Sequence, residues 1–410
     1  MKILHTADWH MNTRLGRRDL TPHILRALEQ IAGYLESEKV DVMVVAGDLF
    51  SERSGEEGIT RALEELKRIF GAFVARGGTI LSVAGNHDPE LRFEGMRHLL
   101  SLGGAGAQGR FEIRADPGFV ALHGKQGETV QFVLMPFPTP RAYGRDEGES
   151  ATYSSFEERN RALQERFSAK LEYFRREVVQ PQFPTVLVSH IHVRGASGHT
   201  LFKVSESEEV VFDPSQIPSE WAYSAYGHIH KPGSAVAGSD FIRYSGSPIA
   251  LDLAERDDRK SCVVFELGAD GVIGELQLLP LEGPRLHKLL VDATQEEPES
   301  FLPRLRDEVG DDLAFCELRF DPRTHSLPAL RAALEKTLPN IYSFRPEEVG
   351  SDVSSGPIWL DPHSAPLDGS PNALSGDPAA LVREFLNRRL QNHSDKSALL
   401  ALADELMANG

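Results

Sequence analysis

Five short motifs rich in aspartate, histidine and asparagine occur in order along the chain. Their side chains are of the kinds that bind divalent cations and transfer protons. The motifs are Asp8-Trp9-His10, Gly47-Asp48, Gly85-Asn86-His87-Asp88, Val188-Ser189-His190 and Gly227-His228-Ile229-His230. The Gly-Asn-His-Asp sequence alone is expected by chance in about one chain in a thousand of this length, from average residue usage. Together, the five motifs therefore indicate one site rather than five unrelated turns.

The ligand types in these motifs suit borderline or hard divalent cations. Carboxylate, imidazole and amide donors are typical of sites for Mn²⁺, Fe²⁺ or Zn²⁺, and the motifs contain no cysteine. They hold more candidate ligands than one ion takes, and a carboxylate such as Asp48 can bridge two ions about 3.5 to 4 Å apart. Such a pair activates a hydroxide and neutralises a phosphoryl oxygen. The motifs thus predict a two-metal site that hydrolyses phosphate esters.

Each motif directly follows a predicted strand. The clearest strands are apolar or β-branched runs at residues 2–6, 42–46, 79–83 and 185–189. Between the early strands, residues 23–37 and 59–75 repeat apolar side chains at the three- and four-residue spacing of helices. This alternation predicts a layered α/β fold, in which the carboxyl ends of the strands gather at one edge. The motifs can therefore converge although they are far apart in the chain.

Other segments predict antiparallel additions to this fold. Residues 117–136 and 262–279 have the pattern of hairpins, so we expect mixed sheets. Residues 156–179 have the pattern of one long helix before the strand that ends at His190. The predicted fold class is therefore α/β, a layered mixed-sheet core.

Four regions follow from the composition along the chain. Residues 1–282 carry the motifs, and residues 285–348 predict a small α+β domain. Residues 350–378 are rich in Ser, Pro, Asp and Gly and predict a flexible linker. Residues 379–410 predict two short amphipathic helices whose apolar stripes need a cover. That cover is either a partner or the chain's own core.

Bulk properties narrow the class of protein. The net charge of −17 argues against nucleic-acid binding by overall charge, but not against a local basic track. Two cysteines, Cys262 and Cys316, lack metal-ligand spacing and predict buried thiols. The start of the chain has no signal-peptide core, and no apolar run reaches the length of a membrane span. We therefore expect a soluble, cytoplasmic protein.

The five motifs and their order resemble those of the calcineurin-like metallophosphoesterases. Within that superfamily the chain looks like the SbcD family of DNA repair exonuclease subunits. The segments that carry this closer likeness are residues 3–10 (ILHTADWH), 46–50 (AGDLF), 226–232 (YGHIHKP) and 244–248 (YSGSP). The likeness is strong from residue 1 to about residue 280, and beyond that it rests on layout only.

This resemblance implies a role for each motif residue. One metal ion would be held by Asp8, His10, Asp48 and His230, and the other by Asp48, Asn86, His190 and His228. Asp48 would bridge the two ions, which in this family are most often Mn²⁺. His87 would be the catalytic histidine, since an imidazole can donate a proton near neutral pH.

The resemblance also implies a function and partners. It implies a DNA nuclease subunit with double-strand exonuclease and single-strand endonuclease activity in DNA break repair and recombination. It implies a homodimer that forms a heterotetramer with an SbcC-type coiled-coil ATPase. Residues 285–348 would cap the site, and residues 379–410 would dock onto the ATPase. Two alternatives are another calcineurin-like phosphodiesterase or phosphatase, and a non-catalytic scaffold.

Three positions leave the pattern open. Many relatives carry a histidine three residues after the bridging aspartate, where this chain has Ser51. His192 competes with His190 as a ligand, although His190 fits the pattern better. The segment after the first motif contains three arginines, which either track DNA phosphates or form a solvated basic turn. They are Arg14, Arg17 and Arg18.

Overall fold

The computed structural model describes residues 1–52, 54–101, 109–124, 127–144, 153–196 and 210–349. The predicted linker at 350–378 and the predicted helices at 379–410 lie outside these ranges and stay predictions. Within the described ranges, every helix is too short or too polar to cross a membrane.

Strands and helices alternate through the first 143 residues. The strands are β1 (Lys2–Thr6), β2 (Arg14–Leu15), β3 (Arg18–Asp19), β4 (Val42–Val45), β5 (Thr79–Val83), β6 (Arg110–Arg114), β7 (Gly118–His123) and β8 (Thr129–Met135). The helices are α1 (Thr21–Ser37), α2 (Glu56–Ala75), α3 (Glu90–Ser101) and α4 (Pro140–Tyr143). Both predicted helices are present. They begin slightly before the apolar spacing does, because Pro22 and Glu56 favour a first helical turn without being apolar anchors.

The next part of the chain contains one long helix and most of the second sheet. Helix α5 (Phe156–Tyr173) is capped by the side chain of Ser155 and continues as a π-helical turn, Phe174–Val178. The long helix is thus confirmed, with a π-helical final turn. The strands that follow are β9 (Thr185–His190), β10 (His192–Val193), β11 (Val211–Phe212), β12 (Tyr223–Gly227), β13 (Gly233–Ser234), β14 (Ile242–Tyr244), β15 (Ser261–Gly268) and β16 (Gly271–Pro280).

Two mixed six-stranded sheets form the scaffold of the site. The first has the order β16-β15-β1-β4-β5-β6, in which β1, β4, β5 and β6 are parallel and the β15–β16 hairpin pairs antiparallel with β1 through β15. The second has the order β13-β14-β12-β9-β8-β7, parallel except for its two edge strands. Both predicted hairpins, β7–β8 and β15–β16, are present. The mixed-sheet prediction is confirmed.

The two sheets pack face to face, and helices cover their outer faces. Side chains such as Ile3 and Val44 from the first sheet meet Phe132 and Tyr223 from the second in one buried cluster. Helices α1 and α2 cover the other face of the first sheet, and α5 covers that of the second. Burial of each large apolar side chain contributes about 1.5–3 kcal/mol. This layering places the carboxyl ends of β1, β4, β5, β9 and β12 at one edge.

A smaller unit follows the second hairpin. Its elements are β17 (Leu286–Asp292), α6 (Pro298–Val309), β18 (Leu313–Phe320), α7 (Leu327–Thr337) and β19 (Ile341–Glu348). The three strands are parallel, and α6 packs against α7 over a core of its own. Tyr342 joins the core of the first sheet instead, which attaches this unit to the larger one. The α+β content predicted for residues 285–348 is confirmed, and the domain boundary stays a prediction.

Candidate metal centre

The loops that follow β1 and β4 lie side by side at the carboxyl edge of the first sheet. The backbone N–H of Asp8 donates to the carbonyl of Gly47 at 3.0 Å, and that of His10 donates to the carbonyl of Asp48 at 2.9 Å. Asp8, His10 and Asp48 all have left-handed backbone conformations, with φ of 53°, 45° and 54°. Such conformations cost about 1–3 kcal/mol each and persist where surrounding bonds hold them.

The glycines of the motifs allow the loops to approach one another. Gly47 has φ of 94°, and a Cβ atom there would collide with Nδ1 of His190. A Cβ atom at Gly85 would collide with the carboxylate of Asp48. These two positions therefore need glycine because side chains of the site occupy the space.

Asp8, His10 and His230 form one cluster of donor atoms, which lie within 4.8 Å of one another. Nε2 of His10 is 3.1 Å from Nε2 of His230, although the two residues come from different sheets. Oδ2 of Asp8 is buried and has no hydrogen-bond partner among the described residues. A buried carboxylate oxygen without a donor is costly unless a cation compensates it. The arrangement therefore fits a divalent metal ion.

Asp8, Asp48 and His190 form a second cluster of the same size. Nε2 of His190 is 2.9 Å from Oδ1 of Asn86, and Nδ1 of His228 is 3.1 Å from the same oxygen. The structure thus brings together the seven residues that the sequence predicted as metal ligands. Which of them bind which ion stays a prediction.

Asp48, a member of the second cluster, also approaches the first, and the two clusters share Asp8. Its Oδ2 is 3.4 Å from Nε2 of His10 and 3.4 Å from Nε2 of His190. Burial opposes its ionisation, but the interactions with His190 and His10 outweigh burial and hold the pKa of this carboxyl well below its usual range. An anionic oxygen shared by both groups is the arrangement expected of a bridging ligand.

Burial opposes protonation of both His10 and His190, but the resulting pKa values differ. Burial lowers the pKa of His10 to about 3, so this imidazole is neutral and has a free lone pair. Burial also opposes protonation of His190, but the carboxylates of Asp48 and Asp8 outweigh it and raise the pKa of His190 to about 9. His190 is therefore paired with these carboxylates as a cation, and a metal ion bound at its Nε2 would replace that proton.

His87 lies on the open side of this centre. Its ring centroid is 5.2 Å from that of His10, and 34% of its side chain is exposed, whereas His190 is fully buried. Its donor atom also clusters with those of His10 and Asp48, and its Nδ1 is 3.8 Å from Oε2 of Glu52. The predicted catalytic histidine therefore stands where substrate can reach it.

Asp88 ties the loops after β4 and β5 together. Its carboxylate accepts hydrogen bonds from the backbone N–H groups of Leu49, Phe50 and Gly85 at 3.2, 3.0 and 2.9 Å. Burial, with the nearby charge of Asp48, raises the pKa of Asp88 to about 7. These hydrogen bonds go to backbone groups, so Asp88 shapes the loop that carries His87.

The three arginines after the first motif lie on the small β2–β3 hairpin. The backbone N–H of Arg17 donates to the carbonyl of Tyr342 at 3.4 Å, and Nε of Arg18 donates to the carbonyl of Ile341 at 3.3 Å. Arg14 is exposed and donates to the carbonyl of Arg17 within the hairpin. Two of the three thus also attach the hairpin to β19, a contact that the sequence did not predict.

The positions that the sequence left open are also placed. Ser51 donates its backbone N–H to the carbonyl of Met11 at 3.0 Å, next to the first motif. The ring of His192 is 5.6 Å from that of His228. His190, by contrast, is fully buried with its Nε2 near Asp48 and Asn86. The geometry therefore favours His190 as the ligand.

Sequence reasoning missed Glu255, whose Oε1 is 2.9 Å from Nδ1 of His230. Burial raises its pKa, but the hydrogen bond and charge of His230 outweigh burial and lower the pKa to about 2. Glu255 stands in a polar segment, residues 252–260, in which nothing separates a buried glutamate from exposed acids. Only the folded chain distinguishes them.

Two layered mixed sheets with aspartate, asparagine and histidine side chains at their carboxyl edges define a metal-dependent phosphoesterase. The chain belongs to the calcineurin-like phosphoesterase family, whose model matches residues 1–232. The metals of this class are divalent, in agreement with the donor set described above.

The chain is also similar to individual proteins within this family. The chain is 27% identical to the SbcD subunit of the nuclease SbcCD from Rhodobacter capsulatus, over 82% of this chain and 84% of that protein. It is 25% identical to the SbcD subunit of the same nuclease from Bacillus subtilis, over 65% and 66% of the two chains. A solved dimetal phosphatase from Danio rerio aligns at 14% identity and a TM-score of 0.43, over 69% of this chain and 99% of that one. The resemblance to the SbcD family is confirmed.

Proposed function

We propose that this chain is the nuclease subunit of a DNA repair complex and that it hydrolyses phosphodiester bonds in DNA. One observation carries the proposal: the Asp48 carboxylate approaches histidines of both donor clusters in a chain that is similar to SbcD nuclease subunits over most of both lengths. A two-metal centre suits phosphodiester hydrolysis because paired cations neutralise the charge of the phosphoryl oxygens.

The ligand assignment belongs to the proposal. Asp8, His10, Asp48 and His230 would hold one ion, and Asp48, Asn86, His190 and His228 would hold the other. Mn²⁺ suits this mixture of carboxylate, amide and imidazole donors. When bound, the ions would supply Lewis acidity and a nucleophilic hydroxide.

Proton donation and positioning would be carried out by side chains of the protein. His87, half-exposed beside His10, would donate a proton to the leaving alkoxide or stabilise its developing charge. The hydrogen bond from the backbone of His87 to Asp48 would hold this histidine near the centre. Asp88 would keep the supporting loop in place through its three backbone hydrogen bonds.

Positively charged side chains of this chain or of a partner would guide DNA to the metal centre. Arg14, Arg17 and Arg18 would contact DNA phosphates from the β2–β3 hairpin. Residues 285–348 would cap the site. Residues 379–410, joined by the linker at 350–378, would dock onto an SbcC-type coiled-coil ATPase. A homodimer would form the core of a heterotetramer in the cytoplasm, with exonuclease activity on double strands and endonuclease activity on single strands.

The net charge of −17 favours the second candidate, a calcineurin-like phosphatase or phosphodiesterase that acts on another phosphoester. The metal centre by itself does not choose between these substrates. The likeness to SbcD nuclease subunits over most of the chain favours DNA instead.

The deciding measurement is Mn²⁺-dependent nucleotide release from an end-labelled linear duplex. The purified chain, its His87→Ala variant and the exposed control Asp270→Asn would be assayed in parallel with a phosphopeptide. We expect release by the wild type and the control, and loss of release in His87→Ala. Turnover of the phosphopeptide with intact DNA would overturn the DNA substrate and keep the metal centre.

A further inference from the structure

A buried charged cluster lies directly behind His230. Glu255 and Lys260 are only 3% and 7% exposed, and Ser247 is fully buried between them. Nζ of Lys260 donates to Oε2 of Glu255 at 2.6 Å and to Oγ of Ser247 at 3.0 Å. None of the five motifs includes these residues.

The two carboxylate oxygens of Glu255 have different hydrogen-bond partners. Oε1 is 2.9 Å from Nδ1 of His230. Oε2 accepts from Lys260, from the backbone N–H of Leu251 at 3.2 Å and from the hydroxyl of Ser247 at 3.2 Å. Only Oε1 faces His230, and the other oxygen anchors the carboxylate to the protein.

Lys260 also contacts His230, through the backbone of that residue. Its Nζ donates to the backbone carbonyl of His230 at 2.9 Å. The ring and the backbone of His230 are therefore both fixed by one ion pair, Glu255–Lys260. His228, two residues before His230, has a left-handed backbone with φ of 97°. Contacts from Glu255 and Lys260 to His230 help to hold this strained segment in place.

Stability alone is a poor explanation for this cluster. Burying two charges costs several kcal/mol for each ion, and well-packed apolar residues of similar size are often as stable. His190, by comparison, directs its Nδ1 at a backbone carbonyl, that of Ala46, at 2.8 Å. His230 differs from His190 because the hydrogen-bond partner of its Nδ1 is a carboxylate, on the side of the ring away from His10.

We infer that Glu255 is a positioning residue for the metal centre, with Lys260 as its anchor. Glu255 accepts the proton on Nδ1 of His230, so that Nε2 presents its lone pair beside Nε2 of His10 at 3.1 Å. A carboxylate in this position fixes the tautomer and the ring orientation, and makes the imidazole a stronger donor. The inference rests on the proposed metal-dependent function.

The test is direct Mn²⁺ binding to the full chain, followed by the electron paramagnetic resonance signal of free Mn²⁺ and without DNA. Glu255→Gln keeps the shape of the side chain and removes its charge. We expect one of the two ions to bind about 10–100-fold more weakly, and the other to bind as in the wild type. Glu275→Gln, an exposed glutamate on β16, is the matched control and leaves both affinities unchanged.

A background substitution identifies the ion that is affected. Asn86→Ala removes a ligand of the second ion only. In that background, Glu255→Gln should still weaken binding of the first ion. In a His10→Ala background, where the first ion is already lost, Glu255→Gln causes no further loss. Equal weakening of both ions, or none, would overturn the inference.

A triple variant separates positioning from stability. Asp258 is a second carboxylate beside Lys260, with its Oδ2 3.6 Å from Nζ, so Glu255→Gln and Lys260→Met are combined with Asp258→Asn. This variant removes the three charges of the cluster together, so the melting temperature of the metal-free chain should recover relative to Lys260→Met alone. The Mn²⁺ affinity should stay low, because the anionic partner of His230 is still absent. Recovery of affinity together with stability would assign the cluster a structural role only.

The outcomes also distinguish this inference from the proposed function. A wild-type chain that binds two Mn²⁺ ions but leaves DNA intact would overturn the nuclease proposal. The Mn²⁺ affinity of Glu255→Gln would still decide the role of Glu255. A wild-type chain that binds no Mn²⁺ would overturn both.

Discussion

Oδ1 of Asp48 accepts a hydrogen bond from the backbone N–H of His87 at 2.9 Å. The other oxygen of Asp48 is 3.4 Å from Nε2 of His10 and from Nε2 of His190. One carboxylate therefore contacts residues that follow β1 and β5 and the residue that ends β9. Changes at Asp48 should affect every part of the centre together.

Asp48→Asn should abolish most of the phosphoesterase activity, because an amide group supplies one neutral oxygen where two anionic oxygens are shared. Loss of several kcal/mol of charge stabilisation corresponds to about a 10³-fold slower reaction. The Mn²⁺ stoichiometry should fall as well. Turnover and metal content would be measured beside Asp270→Asn, an exposed aspartate in the β15–β16 turn. Full metal content in Asp48→Asn would contradict the bridging role.

His87→Gln should slow DNA cleavage by about 10²–10⁴-fold, the usual contribution of a proton-transfer residue. Metal binding should be unchanged, because His87 is predicted to act on substrate and not as a ligand. Titration with Mn²⁺ checks the second half of this prediction. A clear drop in affinity would make His87 a ligand, as its closeness to His10 and Asp48 permits.

Gly47→Ala should destabilise the chain by about 2–4 kcal/mol, from left-handed strain and the collision with His190. Chemical denaturation of the metal-free protein measures this loss. Gly33→Ala is the matched control, since Gly33 lies exposed in α1 with open space around its Cα. That change should be neutral or stabilise by up to about 1 kcal/mol. Equal effects at both positions would refute the packing argument.

His5→Gln should make the metal-free chain less sensitive to acid. Burial lowers the pKa of His5 to about 3, whereas an unfolded histidine has a pKa of about 6.5. Between these values the unfolded chain binds a proton that the folded chain does not, so wild-type stability falls by about 1.4 kcal/mol per pH unit as the pH drops below 6.5.

Glutamine does not titrate, so this contribution should disappear from the variant. Unfolding free energies from pH 7 to pH 5, with chelator present, would compare the two chains. Other buried groups such as His10 contribute equally to both and cancel in the difference. Parallel stability curves would show that His5 is protonated in the folded state.

Arg14→Glu should weaken DNA binding at low salt and reduce the slope of log K against log salt by about 1. Arg14 is the best test position because it is exposed and, among the described residues, hydrogen-bonds within its own hairpin, whereas Arg17 and Arg18 also contact β19. Arg304→Glu, on the exposed side of α6, controls for the change in net charge. Equal binding by both variants would leave the hairpin with a structural role.

Local patterns were sufficient for much of the fold. Strands β1 and β5 lie where alternation and β-branching predicted them, because each is a short apolar run between polar loops. The π-helical end of α5 was not predictable, since periodicity does not distinguish a π turn from an α turn.

The sequence by itself predicted the donor residues that the fold brings together, because a two-metal site needs particular donor atoms and the motifs that supply them are short and local. It also indicated the edge at which they meet, since parallel strands share their direction. The tertiary structure alone decided which atoms face one another, such as His10 and His230 at 3.1 Å. It alone revealed the support of Glu255 and Lys260, because burial of a charge depends on packing from distant segments, which no local pattern records.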